Sequence, residues 1–350
     1  MMAKWLGGGR SRRRGKKVGA ALAAGVVALA VLAGCGTASE SGKDGGRTHI
    51  SLGSAAPGIA AQLPVVYGQE HGVFVDHGLD LEVVSVGDSA AAVSAVLSGS
   101  VDVMYGGLTT VASAKEAGHD LVMFCGNLPT STTYLVAKSG GESAKPFRGF
   151  ATWQEAIRSL KGKSVGVPGL GSGPHLSFEA AASLAGLAEG DITFIPVSQD
   201  AAVASLNQGQ VDLTVINAFS MQNERAKGTI DLVSVLADDV PPFDVNGGGY
   251  AAKISWLEHN PDTAKAFCDA MQGTYDAVKD PANADQIKKM LFDEYGLVND
   301  PAAVESALHY LTLFSTEITP DPVNNSLTAL YDAKVLTSKL TYDDVVHRLG

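Results

Sequence analysis

The stretch AAVSAVLSGSVDVMYGG, residues 91–107, decides the fold of this chain, because a related stretch, AAVASLNQGQVDLTVIN, occupies residues 201–217. Both begin with Ala-Ala-Val, and in both a Gly-x-Val-Asp step follows at the same distance. Alanine runs match easily by chance, so the shared Gly-x-Val-Asp step is the stronger evidence. Each copy predicts a helix, a glycine turn and a buried strand. Two copies of one supersecondary unit predict two similar lobes.

Short apolar runs alternate with helical patterns on both sides of these two stretches. The predicted strands are residues 49–53, 79–86, 101–106, 120–126, 132–138, 163–168, 191–197, 211–217 and 250–256. The predicted helices are residues 60–71, 89–98, 108–118, 174–187, 201–209, 261–279, 283–295, 301–314 and 322–346. Such alternation predicts an α/β fold of parallel sheets with helices on both faces.

The N-terminus has the layout of a secretion signal. Residues 1–17 contain seven basic residues and no acidic residue, and residues 18–34 (VGAALAAGVVALAVLAG) are uncharged and apolar. This order predicts a signal peptide over residues 1–34. A transmembrane anchor is the alternative, although seventeen residues rich in Ala and Gly are at the short limit for a span.

Leu32-Ala33-Gly34-Cys35 resembles the lipobox of bacterial lipoproteins, in which small residues let a peptidase approach and the Cys thiol takes the lipid. We therefore predict lipidation of Cys35 and an extracytoplasmic protein that is lipid-anchored to the bacterial cell membrane. Residues 35–47 are rich in Gly, Ser and charge, which predicts a flexible tether. The pair Arg12-Arg13 leaves a twin-arginine export route open beside the general secretory route.

The composition and charge exclude several classes of protein. Of the 350 residues, 45% are hydrophobic and 18% are charged, which is typical of a globular chain. Without the seven basic residues of the signal, 19 basic residues remain against 37 acidic ones. The rest of the chain is therefore strongly acidic and would repel the phosphates of DNA or RNA, so we expect no nucleic-acid partner.

Two cysteines, Cys125 and Cys268, remain if Cys35 takes the lipid. They could pair in an oxidising compartment. Neither belongs to a spacing pattern, and a chain of this length buries a large core without a bridge. We therefore expect two separate, mostly buried thiols.

Motifs for catalysis and for metal binding are absent from the sequence. The eight histidines form no His-Glu-x-x-His pattern and no Cys-His cluster, so we expect no metal site. No Gly-x-Ser-x-Gly elbow occurs, and no dinucleotide-binding glycine motif follows a strand. We predict a protein that is not an enzyme and has no catalytic residue, metal or cofactor.

Four segments occur in a recognisable order. They are GQEHGVFVDHGLDLEVV (68–84), LSGSVDVMYGG (97–107), LKGKSVGVPGLGSG (160–173) and LNQGQVDLTVIN (206–217). Together they resemble the solute-binding proteins of ABC importers from the nitrate, sulfonate, taurine and hydroxymethylpyrimidine group. The resemblance covers about residues 48–320 and a C-terminal helix. It implies a type II periplasmic-binding-protein fold, with two Rossmann-like lobes and a ligand cleft between them.

In this fold the chain crosses between the lobes twice. The resemblance places lobe one in residues 48–138 and 250–350, and the linker with lobe two in residues 139–249. The crossings are expected near residues 138–162 and 246–252. The resemblance also implies a monomer that captures a small molecule by hinge closure and delivers it to the permease and ATPase subunits of an ABC importer.

Loops at the carboxyl ends of the predicted strands supply the candidate ligand-binding residues, because ligands of open parallel sheets bind there. Helix N-termini at these loops offer N–H groups and a partial positive charge. The candidates from the first lobe are Ser54, Ala55, Asp88, Ser89, Gly106, Gly107, Thr109, Asn127 and Tyr134. The candidates from the second lobe are Ser172, Gly173, His175, Asn217 and Phe219.

Several candidates have a structural alternative. Asp88 or Ser89 could be a helix N-cap, and the cap could also contact the ligand. His175 could cap its helix or face solvent, and Phe219 could belong to the core. The aspartates of the two Gly-x-Val-Asp steps follow tight turns, and we expect them to be structural.

The ligand is the least determined part of the prediction. No Lys or Arg occurs at a predicted strand end around the cleft, so an anion would be held by N–H groups and hydroxyls. We favour an aliphatic sulfonate or similar small oxyanion. A pyrimidine-like ring compound, faced by Tyr105, Tyr134 or Phe219, is the first alternative. A receptor domain that presents its ligand to a membrane sensor is another, and an enzyme on the same fold is the least favoured.

Overall fold

The computed structural model describes residues 43–44, 46–55, 59–130, 133–243 and 248–350. The predicted signal peptide, Cys35 and most of the predicted tether lie outside these residues. Among the helices in these ranges, none has the length and apolar character that a membrane span needs.

The sheet of lobe one has six strands. They are β1 (Lys43–Asp44), β2 (Arg47–Ser54), β3 (Leu79–Ser85), β4 (Val103–Gly106), β5 (Leu121–Leu128) and β11 (Gly248–Lys253). β2 runs parallel to its neighbours β3 and β4, and the short β1 pairs with it in the antiparallel sense. β11 lies between β4 and β5 and is antiparallel to both.

The sheet of lobe two has five strands in the order β8-β7-β9-β6-β10. They are β6 (Tyr134–Lys138), β7 (Ser164–Val167), β8 (Thr193–Pro196), β9 (Leu213–Ile216) and β10 (Ile230–Val235). β7 runs parallel to β8 and β9, whereas β6 lies antiparallel between β9 and β10. This order matches β3-β2-β4-β11-β5 of lobe one strand for strand, which confirms the predicted α/β fold of two similar lobes. Both sheets are mixed, however, and not purely parallel as predicted, because β11 and β6 run antiparallel to their neighbours.

The first crossing lies earlier than predicted. β6, assigned to lobe one from the sequence, pairs with β9 and β10 of lobe two, so the chain crosses between Leu128 and Tyr134. β10 belongs to the sheet of lobe two and β11 to that of lobe one, so the chain returns to lobe one between these two strands. In each sheet the antiparallel strand inside the sheet, β11 in lobe one and β6 in lobe two, directly follows a crossing. The apolar run of β6 predicts a buried strand, but its composition gives no indication of which sheet it joins.

Fifteen helices surround the two sheets in the described parts of the chain. They are α1 (Leu63–Glu70), α2 (Val73–Asp76), α3 (Ser89–Ser98), α4 (Leu108–Glu116), α5 (Trp153–Arg158), α6 (Gly173–Leu184), α7 (Ala202–Asn207), α8 (Ala218–Ala226), α9 (Leu236–Asp239), α10 (Ile254–His259), α11 (Pro261–Lys279), α12 (Ala284–Asp293), α13 (Pro301–Leu311), α14 (Pro320–Asp332) and α15 (Tyr342–Val345). Short 3-10 turns lie at Ala60–Gln62, Phe147–Gly149, Pro241–Phe243 and Pro281–Asn283. The sequence did not predict β1, β10, α2, α5, α8, α9 or α10, and the predicted strand 250–256 is wrong over its last three residues, which lie in α10.

The predicted helix over residues 322–346 is wrong, because α14 ends at Asp332 and α15 begins ten residues later. The break follows Lys334, which has a left-handed φ of 63°. The C-terminal region also contacts both lobes instead of lobe one alone. α14 packs against α4 and α6, and the Ser183 hydroxyl of α6 donates to the carbonyl of Ala333 at 3.0 Å.

The two Gly-x-Val-Asp steps do the same structural work in each lobe. The Asp102 carboxylate accepts hydrogen bonds from the backbone N–H and the hydroxyl of Ser51, at 2.9 and 2.7 Å. The Asp212 carboxylate accepts the equivalent pair from Ser164, at 2.8 Å each. Each aspartate thus joins the start of one parallel strand to the strand beside it, as predicted.

A disulfide joins Cys125 on β5 to Cys268 on α11, with a Cα–Cα distance of 5.7 Å. The prediction of two separate thiols is therefore wrong. α11 packs across the sheet of lobe one, where the rings of Phe124 and Phe267 lie 5.9 Å apart, and this packing brings Cys268 over β5. The sequence separation of 143 residues gives no indication of the contact.

Candidate functional site

A cavity of about 190 Å³ lies between the two lobes at the carboxyl ends of their parallel strands. We call it the first chamber. Lobe one and the first crossing contribute Ala55, Ile59, Ser89, Tyr105, Gly106, Gly107, Leu108, Thr109, Thr110 and Thr133. Lobe two contributes Pro168, Ser172, Gly173, Pro174, Ser177 and Gln199. The position is the one that an open parallel α/β sheet offers to a ligand.

A second cavity of about 100 Å³, the second chamber, adjoins the first. The two share a wall, which we call the neck, made of Ile59, Tyr105, Thr133, Pro174 and Gln199. Beyond the neck, the second chamber is lined by Ala60, Ala61, Val215, Ile216, Asn217, Ala218 and Tyr310. Its lining is mostly apolar, whereas the first chamber has several hydroxyl groups.

Equivalent positions of the two lobes meet at these cavities. Ser89 and Gln199 occupy matching places in the repeat, between a strand and the helix that follows. Gly107 and Asn217 are the N-caps of the matching helices α4 and α8. The repeat that decides the fold therefore also brings paired strand-end loops face to face.

Three helices of the first chamber present their N-termini in different ways. α4 has Gly107 as its N-cap, so no side chain caps it. α6 is capped by Ser172, whose hydroxyl lies 3.5 Å from the N–H of His175, and α3 is capped by Asp88, which accepts from the N–H of Ala91 at 2.8 Å. Uncapped N–H groups at a helix start attract an anion or a hydrogen-bond acceptor.

No charged side chain lines either chamber in the described part of the protein. The polar groups are hydroxyls, backbone N–H groups and the amides of Gln199 and Asn217. Burial raises the pKa of the Tyr105 phenol, which therefore stays neutral at the neck. Within the described residues no group of three or more His, Cys, Asp or Glu side chains could hold a metal ion. The site can bind a small molecule through hydrogen bonds and apolar contact.

Eight of the predicted site residues line a chamber. Ala55, Ser89, Gly106, Gly107, Thr109, Ser172 and Gly173 line the first chamber, and Asn217 lines the second. The other six line neither chamber, and each has a position that explains why.

Three of these six support the site from behind. Asn127 is buried, and its amide nitrogen lies 3.1 Å from the carbonyl of Ala61, a residue of the second chamber. Asp88 caps α3 at the surface. Ser54 is fully buried next to Ala55, and its hydroxyl has no partner in the described structure.

The other three are aromatic or imidazole rings. His175 lies edge-on to Phe194, with ring centres 4.9 Å apart, and its Nδ1 accepts from the N–H of Gly171 at 3.1 Å. Burial lowers the pKa of His175, which favours this neutral, accepting form. Phe219 is a core residue, packed edge-to-face on Tyr295 at 5.3 Å.

Tyr134 is half-buried at the start of β6 and packs between two apolar clusters. Burial, with a smaller contribution from the charge of Asp238, raises the pKa of Tyr134 to about 12. It supports the first crossing and does not face a chamber.

The neck is the part of the site that the sequence analysis largely missed. Tyr105 was considered only as a possible aromatic face, and Ile59, Thr133, Pro174 and Gln199 were not predicted. Gln199 could have been found, because it is the repeat counterpart of Ser89. Ile59 and Thr133 lie in irregular segments, and Pro174 lies in the first turn of α6. None of the three has a repeat counterpart among the predicted residues.

Solved structures with this fold were found in several bacteria. A protein from Bordetella bronchiseptica RB50 superposes with a TM-score of 0.71 at 22% identity, covering 86% of this chain and 94% of that one. The alkanesulfonate-binding protein SsuA from Xanthomonas axonopodis pv. citri, bound to MOPS, superposes with a TM-score of 0.67 at 19% identity. This match covers 86% of this chain and 98% of SsuA. The periplasmic nitrate-binding protein NrtA from Synechocystis PCC 6803 superposes with a TM-score of 0.63 at 13% sequence identity, and the match covers 86% of each chain.

These likenesses confirm the predicted periplasmic-binding-protein fold. The neighbours with a named function are binding proteins and not enzymes, which agrees with the prediction for this chain. Comparison with curated proteins gives no match. A family model described as NMT1/THI5 like matches residues 60–284. The chain therefore belongs to the NMT1/THI5-like family.

Proposed function

We propose that this protein is the extracytoplasmic solute-binding component of an ABC importer. It captures a small molecule between its lobes, closes around it by a hinge motion and delivers it to a permease. The observation that carries the proposal is that matching strand-end loops from both lobes converge on one cavity, whose lining contains no charged side chain among the described residues. A site divided between two lobes couples ligand binding to closure, because each lobe holds part of the ligand.

The ligand that the first chamber supports best is an aliphatic sulfonate or a similar small oxyanion. The uncapped start of α4 and the hydroxyls of Ser89, Thr109 and Ser172 supply donors for its oxygen atoms. The apolar second chamber then accommodates a short aliphatic chain. The alkanesulfonate-binding neighbour is consistent with this assignment but shares only 19% identity.

A pyrimidine-like ring compound is the second candidate. Tyr105 borders both chambers and offers an aromatic face at the neck. A flat neutral ring would stack on that face and hydrogen-bond to the surrounding hydroxyl and amide groups. The uncharged lining that the described residues form is compatible with either ligand.

The protein works as a monomer held at the outer face of the cell membrane by a lipid on Cys35. The basic head, the apolar run and the lipobox-like residues 32–35 support this anchor. A flexible tether lets the folded lobes move above the membrane and meet the permease. Mass spectrometry of the protein from its native membrane tests this part, and an unmodified Cys35 would contradict it.

A thermal-shift screen of the purified protein tests the ligand. The panel contains ethanesulfonate, nitrate, bicarbonate, pyrimidines, amino acids and sugars. A ligand at 100 times its dissociation constant adds about 2.7 kcal/mol of stability. That raises the melting temperature by several degrees, at roughly 2–4 °C per kcal/mol.

A variant and its control locate the binding. Thr109→Val removes a hydroxyl from the first chamber at nearly constant shape and should weaken oxyanion binding about tenfold. Thr312→Val removes an exposed hydroxyl outside the cleft and should leave binding unchanged. Shifts with ring compounds alone would favour the second candidate, and no shift with any compound would contradict both.

A further inference from the structure

We propose that Gln199 determines the specificity of this site, and that its side-chain oxygen accepts a hydrogen bond from an N–H or O–H group of the bound solute. The inference rests on the proposed function, since it assigns a role within the same cavity. Gln199 lies between β8 and α7 of lobe two and borders both chambers. Any solute that reaches from one chamber into the other passes this side chain.

The Oε1 atom of Gln199 is buried and has no hydrogen-bond partner in the described structure. Buried acceptors in native proteins are almost always paired, so an unpaired one calls for a reason. A donor on the ligand would pair this atom when the site is filled. A ligand without a donor would leave it buried and unpaired, which is how hydrogen-bonding sites reject close analogues.

The fold itself does not use this amide oxygen. In lobe one, the Asp88 side chain of the matching turn caps α3: its Oδ1 accepts a hydrogen bond from the N–H of Ala91 at 2.8 Å. In lobe two, α7 has Ala201 as its N-cap and receives no side-chain cap. The turn that contains Gln199 therefore does not use this side chain as a helix cap.

The neighbouring groups leave Gln199 as the amide acceptor for the middle of the solute. In the neck, Ile59 and Pro174 are apolar, and Tyr105 and Thr133 carry hydroxyl groups instead of amides. The other amide of the site, Asn217, is engaged by its own helix, because its Oδ1 accepts from Phe219 and its Nδ2 donates to Ser220. The geometry thus points to a solute with acceptor atoms at one end, a donor next to them and a short apolar part.

Two pairs of compounds of equal shape test the proposal. The first pair is 2-hydroxyethanesulfonate and 1-propanesulfonate, and the second is 2-aminopyrimidine and 2-methylpyrimidine. Each pair differs by one donor group in place of a methyl. Calorimetric titration of the wild-type protein should give at least a tenfold preference for the donor-bearing member of the pair that binds, as one buried hydrogen bond provides.

Gln199→Leu should abolish that preference, mainly by weakening the donor-bearing compound. Gln62→Leu is the matched control: the amide of Gln62 is also buried without a partner, but it lines neither chamber. The preference should survive in this control. Equal binding of both members by the wild-type protein, or a preference that survives in Gln199→Leu, would overturn the proposal.

The melting temperature of the ligand-free protein gives an independent measure. If the Gln199 oxygen has no partner until a ligand binds, Gln199→Leu removes an unpaired buried acceptor. The ligand-free variant should then have a melting temperature about 1–3 °C above that of the wild type. If none of the four compounds binds the wild-type protein, the proposed ligand classes fail, and this measurement alone decides on Gln199. An increase then supports the assignment, and no increase contradicts it.

Discussion

The two lobes have the same framework and different chemistry at the cleft. The five main strands follow the same order in both lobes, and in both lobes a hydrogen bond between a serine and an aspartate joins neighbouring strands. At the cleft, however, lobe one presents the bare N-cap Gly107, whereas lobe two presents Asn217, which caps its own helix. The difference teaches that the repeated framework determines where the strand-end loops of the two lobes meet, while single residues at matching positions determine which groups each lobe presents there.

The largest predicted difference between the lobes comes from the disulfide of lobe one. No disulfide joins residues of lobe two within the described chain. Replacing Cys125 and Cys268 by alanine releases a closed loop of 143 residues and should lower the free energy of unfolding by about 2–5 kcal/mol. Hydrogen exchange should then accelerate in β5 and α11 before it does so in lobe two.

The control for that prediction is the oxidised wild-type protein measured with the same peptides. Equal acceleration in both lobes would contradict the prediction, because it would mean that the lobes unfold as a single unit. Denaturant melts of both proteins supply the free-energy difference.

The disulfide marks a limit of what the sequence could predict. Local patterns placed α3 over residues 89–98 and α11 over residues 261–279, at the bounds that the structure has. Asp88 as a cap and a proline at the start of α11 are local signals, and local signals suffice for helix ends. The pairing of Cys125 with a cysteine on α11 depends on how a helix crosses a sheet, and no local pattern encodes that.

The same distinction explains the other differences. β6 was recognised as a strand, but its sheet depends on pairing partners far along the chain. The break after α14 has no glycine or proline to mark it, since Lys334 adopts the left-handed conformation there. In the site, the matching cap positions Gly107 and Asn217 were predicted, while neck residues such as Ile59 and Pro174 depend on how the two lobes face each other.

The next largest effects concern the two serine–aspartate contacts. Asp102→Ala should lower the free energy of unfolding by about 1–3 kcal/mol, because it leaves the half-buried Ser51 groups without their acceptor. Asp212→Ala should lower it less, since Asp212 is exposed and water can replace the carboxylate. Urea melts of both variants measure the difference, and a larger loss for Asp212→Ala would contradict the ranking.

The pH dependence of stability provides a control for the prediction about Asp212→Ala. The backbone N–H and the hydroxyl of Ser164 lower the pKa of Asp212 below its ordinary 3.8, with burial acting in the opposite sense. A carboxylate with a lowered pKa in the folded state stabilises above its unfolded pKa and loses that contribution as the pH falls through the folded value. The stability difference between wild type and Asp212→Ala should therefore be constant at neutral pH and shrink below about pH 4.

Exchanging the two N-caps, Gly107 and Asn217, should have the smallest effect on stability. It is also the sharpest test of which interaction each lobe supplies. Gly107 has φ −83° and ψ 158°, and Asn217 has φ −79° and ψ 167°, so either residue fits either backbone. A Cβ added at Gly107 meets no atom within 4 Å. Gly107→Asn should cap α4 and stabilise the protein by a few tenths of a kcal/mol.

The same change should weaken solute binding at least tenfold, because the new side chain competes for the N–H groups that face the first chamber. Asn217→Gly should lower the stability by a similarly small amount and leave affinity within about threefold, since the α8 N–H groups are satisfied by their own cap in the wild type. Calorimetric titration with the ligand identified in the thermal-shift screen measures both. If Asn217→Gly weakened binding more than Gly107→Asn, the anion-binding role would belong to lobe two, and the division of roles inferred from the caps would be reversed.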